Sequence, residues 1–305
     1  MILINGQPVT LTHFPNKETL VPQALGTLKF ANPREFDPTP TLTLKYESDE
    51  DLLHLYFVRS LFPRAKLCIR YMPYSRMDRS AGGLAFTLRD VARFINSMMF
   101  DSVAVEEPHS DVTCALLDRS TPVYVTKDLL LPQVWEKLGF AKPGEEPGED
   151  FDEGVLIYPD AGAQKRYADV KGYTTSVAFK HRDPETGAIE DVELVGLPHW
   201  YSPGWQALII DDLVCKGGTF IPLAQKLRDL GAEKVHLLVA HCEPAMFGAD
   251  LLTHIDSLWC TDSMFPAETI FYRRPDEQDY GPILLKNLVK AYPKLHVFSE
   301  GEWVE

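Results

Sequence analysis

Residues 208–220 read LIIDDLVCKGGTF: an apolar run, two adjacent acids, then a cysteine–lysine pair running into Gly217, Gly218 and Thr219. The run predicts a buried strand ending at Asp211 and Asp212. TFIPLAQKLRDLG after it predicts a helix with Ile221, Ala224, Leu227 and Leu230 on one face, Pro222 in its first turn and Gly231 at its end. A glycine loop opening a helix gathers backbone N–H groups that favour a phosphate. Carboxylates at the carboxyl end of a parallel strand face the crevice where such sheets hold ligands, and suit sugar hydroxyls or Mg²⁺. An acidic strand end followed by an ordinary glycine turn explains the same letters equally well.

Working outward, AKLCIRYMP, DSVAVEE, EGVLIYP, KVHLLVAH and SLWCTD read as further buried strands. Between the first two, TLRDVARFINSMMF predicts a helix with Leu88, Val91, Ala92, Ile95 and Met99 on one face and a Thr87–Asp90 capping pair. Strand–helix alternation of this kind predicts an α/β fold with mostly parallel sheets flanked by helices. KPGEEPGEDFDEG (142–154) is rich in Gly, Pro and acid, and reads as the boundary between domains at 1–141 and 142–289. The final residues, about 290–305, are expected to return to the first domain. Residues 180–196, from Lys180, read as a mobile excursion or a hairpin.

The 305 residues carry a net charge of −14 with a pI near 5.1, which argues against wrapping nucleic acid. Five scattered cysteines without a CxxC pair argue against structural zinc and for a reducing compartment. No apolar run reaches membrane-spanning length, so a cytoplasmic protein is expected.

Five segments, in order, carry a resemblance: FPNKET (14–19), PYSRMDRS (73–80), EEPHS (106–110), YPDAGAQKR (158–166) and LIIDDLVCKGGTF. Together they resemble the ribose-phosphate diphosphokinases, which move the β,γ-diphosphoryl group of ATP to the C1 hydroxyl of ribose 5-phosphate and release AMP. The resemblance implies two domains of type I phosphoribosyltransferase architecture with the active site between them, Mg²⁺, and a homodimer or homohexamer. It implies that Phe14 stacks on adenine, with Asn16 and Glu18 at its edge, serving a neighbouring subunit. Arg76, Asp78 and His109 would hold the nucleotide, and His109 and Asp160 the metal. Lys180 and Arg182 match a catalytic Lys-x-Arg. Asp211, Asp212, Cys215, Lys216, Gly217, Gly218 and Thr219 would form the sugar-phosphate loop.

Several residues depart from that pattern. Met77 replaces a glutamine, and Cys215 and Lys216 replace an aspartate and a threonine of DDxxDTxGT. MDRSAGGLAF replaces a basic loop tied to phosphate activation. A lysine where a terminal monophosphate would be cupped fits a larger, more anionic acceptor such as ADP-ribose. Alternatively the loop has lost affinity in a non-catalytic, regulatory relative. A phosphoribosyltransferase is the third reading, and it leaves FPNKET and PYSRMD without a purpose.

Overall fold

A computed structural model describes the chain except residues 28–38, 81, 145–152, 183–188, 198–203, 266–269, 274–279, 284–288 and 305. Contacts divide it into two units, Met1–Tyr124 and Val125–Glu305.

The first unit holds a six-stranded sheet in the order Gln7–Pro8, Ile2–Ile4, Thr41–Leu44, Lys66–Ile69, Val103–Glu106, Ser120–Val123. The last four run parallel, and Ile2–Ile4 joins antiparallel. Leu42, Leu44, Leu67, Ile69, Val103 and Val105 alternate inward from these strands. They pack with Leu52, Leu55 and Val58 of helix Glu50–Ser60 and Leu88, Ala92 and Ile95 of helix Thr87–Ser97. Two details of that second helix differ from expectation. Thr87 lies inside it, the capping position falls to Phe86, and no side chain caps the end. Met99 lies beyond the last turn at φ 52° and is exposed, because the chain reverses there to enter the next strand.

The second unit is built on eight strands, in the order Ile189–Val195, Thr175–Arg182, Gly154–Tyr158, Gln206–Val214, Lys234–Cys242, Ser257–Thr261, Leu295–Ser299, Glu302–Val304. The six inner strands are parallel and the two outermost antiparallel. Lys234–Cys242 is buried from Val235 onward, as a central parallel strand covered on both faces must be. Helix Phe220–Asp229 covers one face with Phe220, Leu223, Ala224 and Leu227, while Leu230 is left exposed beside Gly231 at φ 93°.

Both expected boundaries move. The division falls at Tyr124, not at 141, because helix Leu131–Lys137 belongs to the second core. Leu131, Val134, Trp135 and Phe140 pack on Leu156, Tyr158, Leu208 and Leu238. The carboxyl-terminal strand pairs Leu295 with Leu258 in the second sheet instead of returning to the first. The strand carrying Asp211 and Asp212 also continues past them, since Leu213 and Val214 pair with His241 and Cys242.

Candidate functional site

Strand order reverses at one place in the second sheet. From Gly154–Tyr158 the chain crosses to Thr175–Arg182 on one side, then returns to Gln206–Val214 on the other. The carboxyl ends of strands flanking such a switch open a crevice, the usual ligand position in open α/β sheets. Asp160 follows one of these strands and Asp211 and Asp212 lie near the end of the other.

Asp160 caps helix Ala161–Arg166: its Oδ1 accepts the Ala163 N–H at 3.0 Å. Its Oδ2 lies 3.3 Å from Lys180 Nζ. Burial pushes this carboxyl up, but the Ala163 and Gly162 N–H groups and the Lys180 charge outweigh it and hold the group below its usual value. Lys180 projects from strand Thr175–Arg182, where it pairs with Val192, and its side chain is only 9% exposed. The excursion is thus a hairpin, with a bulge between His181 and Arg182. Arg182 occupies a strand position opposite Ile189, and its side chain lies outside the described residues.

Arg166, absent from the expected set, ties the acids together. Its Nη1 stands 3.0 Å from Asp211 Oδ1 and 3.0 Å from Asp212 Oδ1. Asp211 Oδ1 also accepts the Asp212 N–H at 2.9 Å. Burial and the adjacent Asp212 raise the Asp211 carboxyl well above its ordinary range, with Arg166 pulling the other way and Asp160 adding to the rise. Burial wins, because one guanidinium is divided between two carboxylates. Arg166 closes the YPDAGAQKR segment, where it reads as surface charge. The signal available was its position six residues after Asp160, at the end of one short helix.

The loop 215–219 begins the helix as expected. Gly217 adopts φ 85°, and its carbonyl accepts from Phe220 N at 2.9 Å and Ile221 N at 2.8 Å. A Cβ on Gly217 would meet Leu251 at 3.0 Å, whereas one on Gly218 would meet nothing within 4 Å. Lys216 and Gly218 are exposed, Cys215 and Thr219 half-buried.

The first unit gathers a second set. Asp78 is buried, with Arg79 Nε 2.8 Å from its Oδ1. Burial raises the Asp78 carboxyl, and Arg79, together with Ser110, lowers it by more. Two non-glycine residues in the left-handed region flank this set, Tyr74 at φ 61° and Glu107 at φ 42°. Backbone strain of this kind costs about 1–3 kcal/mol per residue and concentrates at functional sites. Arg76 is exposed, and Met77 half-buried. Phe14, Asn16 and Glu18 occupy the exposed turn of a small hairpin between Thr12–His13 and Thr19–Leu20. Asn16 Oδ1 accepts the Glu18 N–H at 3.2 Å, Lys17 takes φ 70°, and Phe14 is 49% exposed.

No protein-family model matches the chain. Ribose-phosphate pyrophosphokinase of Pyrococcus furiosus is 27% identical over 182 residues, 59% of this chain and 59% of that protein. The enzyme of the same name from Xylella fastidiosa is 26% identical over 230 residues, 71% of this chain and 66% of that protein. The crystal structure of phosphoribosylpyrophosphate synthetase from Mycobacterium smegmatis superposes with a TM-score of 0.64, covering 96% of this chain and 86% of that one at 18% identity. The chain is similar in sequence to ribose-phosphate pyrophosphokinases. The alignment spans about three-fifths of the length of the first curated relatives. The likeness to the solved structure shows that fold over nearly the whole chain. No helix among the described residues is long and apolar enough to cross a membrane.

Proposed function

We propose that this protein is a Mg²⁺-dependent diphosphokinase that transfers the β,γ-diphosphoryl group of ATP to the C1 hydroxyl of a ribose 5-phosphate moiety. The observation that carries the reading is the convergence of Asp160, Lys180, Arg166, Asp211 and Asp212 at the switch point of the second sheet. Similarity to ribose-phosphate pyrophosphokinases supports it.

Asp160 fits a hard cation. It is ionised, its side chain is 49% exposed, and Oδ2 is not used by the helix cap. His109 suits the same role on the nucleotide side, through a bound water. When bound, Mg²⁺ supplies neutralisation of the triphosphate charge.

The chain's own groups do the rest. Phe14, Asn16 and Glu18 take the adenine of a neighbouring copy's nucleotide, and Arg76, Asp78 and His109 take its phosphates. Asp211 and Asp212 accept hydrogen bonds from ribose hydroxyls, held in place by Arg166. The N–H groups of the 215–219 loop hold the 5-phosphate. The sugar O1 bonds to the β-phosphorus, the bond from that phosphorus to the α,β-bridging oxygen breaks, and AMP leaves. The hydroxyl proton passes to water. Lys180 and Arg182 stabilise charge on the moving group, because this chemistry depends on positioning and electrostatics more than on a strong base.

For the acceptor, we favour ADP-ribose over free ribose 5-phosphate. Lys216 is exposed on the loop that would cup the 5-phosphate, where its ammonium suits a second phosphate and its stem leaves no threonine hydroxyl for a terminal one. The experiment is incubation with Mg·ATP and each acceptor in turn, with AMP measured. AMP with ADP-ribose supports the full reading. AMP with ribose 5-phosphate alone removes the larger acceptor, and AMP with neither removes the enzyme.

A further inference from the structure

The first unit carries a group of metal-ligating side chains that the proposed reaction does not use. His13 precedes Phe14 in the small hairpin, and Glu50 and His54 lie one turn apart at the start of helix Glu50–Ser60. Glu50 Oε1 is 3.2 Å from His13 Nε2 and 3.5 Å from His54 Nε2. One ligand atom from each of the three lies within 4.8 Å of the others. The imidazole rings are 5.8 Å apart and tilted by 47°, not stacked.

These distances have a second meaning. Metal–ligand bonds of about 2.0–2.1 Å at tetrahedral angles place neighbouring donor atoms roughly 3.3 Å apart. The separations of 3.2 and 3.5 Å straddle that edge length. Two imidazoles and a carboxylate are a ligand set for zinc, with the fourth position open to water, and imidazole nitrogen disfavours Mg²⁺ and Ca²⁺. Ion access is provided for, since the side chains of His13 and Glu50 are 38% and 54% exposed, while His54 at 13% gives a fixed anchor. Thr19 Oγ1, 3.2 Å from His54 Nε2, gives up that contact when the nitrogen takes the ion.

We propose that His13, Glu50 and His54 form a zinc-class divalent metal site that clips the Phe14 hairpin to helix Glu50–Ser60. His13 and Glu50 are 37 residues apart in sequence, so the bound ion closes a long loop and removes freedom from the turn next to it. Zinc uptake does not depend on the proposed reaction: the site would bind even in a chain that transfers nothing.

The test uses the full chain, stripped with a chelator and titrated with ZnCl₂ in a calorimeter, beside His54→Ala and the isosteric Glu50→Gln. The wild type is expected to bind one equivalent that is lost, or weakened at least about tenfold, in both variants. MgCl₂ should give no comparable heat. Glu50→Gln leaves both rings and the helix in place, so it decides the matter should His54→Ala unfold. Hydrogen exchange of the amides of Phe14, Asn16, Lys17 and Glu18 should slow with zinc in the wild type and not in Glu50→Gln. Zinc isotherms that are the same in the wild type and Glu50→Gln, or no uptake by the wild type, overturn the site. Uptake without slower exchange overturns the clip.

Discussion

Lys180 Nζ lies 3.3 Å from Asp160 Oδ2, the oxygen that the helix cap leaves open. A metal ion held by Asp160 needs that same oxygen, so the ammonium and the ion compete for it. In the assembled reaction Lys180 would turn from Asp160 to the transferring phosphoryl oxygens. Lys180→Met should therefore lower turnover by roughly a hundred- to a thousandfold, by analogy with loss of one preorganised donor. Its affinity for Mn²⁺, followed by the free-ion resonance signal, should be equal to or tighter than that of the wild type. Weaker Mn²⁺ binding would mean that the pair is a structural tether.

Gly217 and Gly218 separate folding from ligand binding. Gly217→Ala places a Cβ at φ 85° and 3.0 Å from Leu251, so it should destabilise by at least about 1–2 kcal/mol. At Gly218 the added methyl meets no protein atom within 4 Å, and stability should stay within about 0.5 kcal/mol of wild type. If the loop holds the 5-phosphate, that methyl intrudes on the ligand. Calorimetric affinity for ribose 5-phosphate and ADP-ribose should drop in Gly218→Ala while the urea midpoint does not move. Unchanged affinity for both would place the phosphate elsewhere.

The acids of this site were legible in the sequence because their signal is local. Asp211 and Asp212 come near the end of an apolar run, and Asp160 follows another. In a parallel sheet those positions share one rim. Arg166 was not legible, because an arginine at the end of AGAQKR looks solvated until the helix is docked against strand Gln206–Val214. Long-range pairing hid the boundaries as well. Trp135 and Phe140 give an apolar face that either sheet could have covered, and only packing on Leu156 and Leu238 assigns it. Likewise nothing in LHVFS specifies Leu258 as the partner of Leu295. The His13–Glu50–His54 group draws on segments 37 residues apart and has no spacing motif.

Arg166 and Asp211 set a pH dependence. Because the folded protein raises the Asp211 carboxyl, it binds that proton more tightly than the unfolded chain does. Stability from this group is therefore greatest in acid and falls as pH rises from the ordinary aspartate value of about 3.9 toward the raised one. Asp211→Asn removes the fall and leaves Arg166 paired one-to-one with Asp212 at 3.0 Å. Its melting temperature at neutral pH should equal or exceed that of wild type, while turnover drops if Asp211 holds the sugar. Arg166→Met does the reverse. Two buried carboxylates lose their cation, at a cost of about 3–5 kcal/mol in urea unfolding. A less stable Asp211→Asn protein would show that the guanidinium, not burial, dominates at this pair.

His236 sets the opposite dependence. It is buried between Gln206 Oε1, 3.0 Å from Nε2, and Ser257 Oγ, 2.7 Å from Nδ1, with Phe140 edge-on at 6.3 Å. Ser257 in turn accepts from Trp259 Nε1 at 2.6 Å, so its hydroxyl proton points to Nδ1 and the ring is neutral with the proton on Nε2. Burial is the main reason that its pKa falls from 6.5 to about 4. Asp256 resists the fall, and Lys234, Arg228 and His296 assist it. The unfolded chain takes up a proton in this interval and the folded one does not, so stability is full above about 6.5 and is lost as pH drops toward 4. A shift of that size corresponds to about 3 kcal/mol. His236→Asn keeps a donor and an acceptor without the titration. Its unfolding free energy should lie below that of wild type at pH 7, where it loses packing, and the gap should close on acidification. Parallel pH profiles for the two proteins would assign the acid lability to another group.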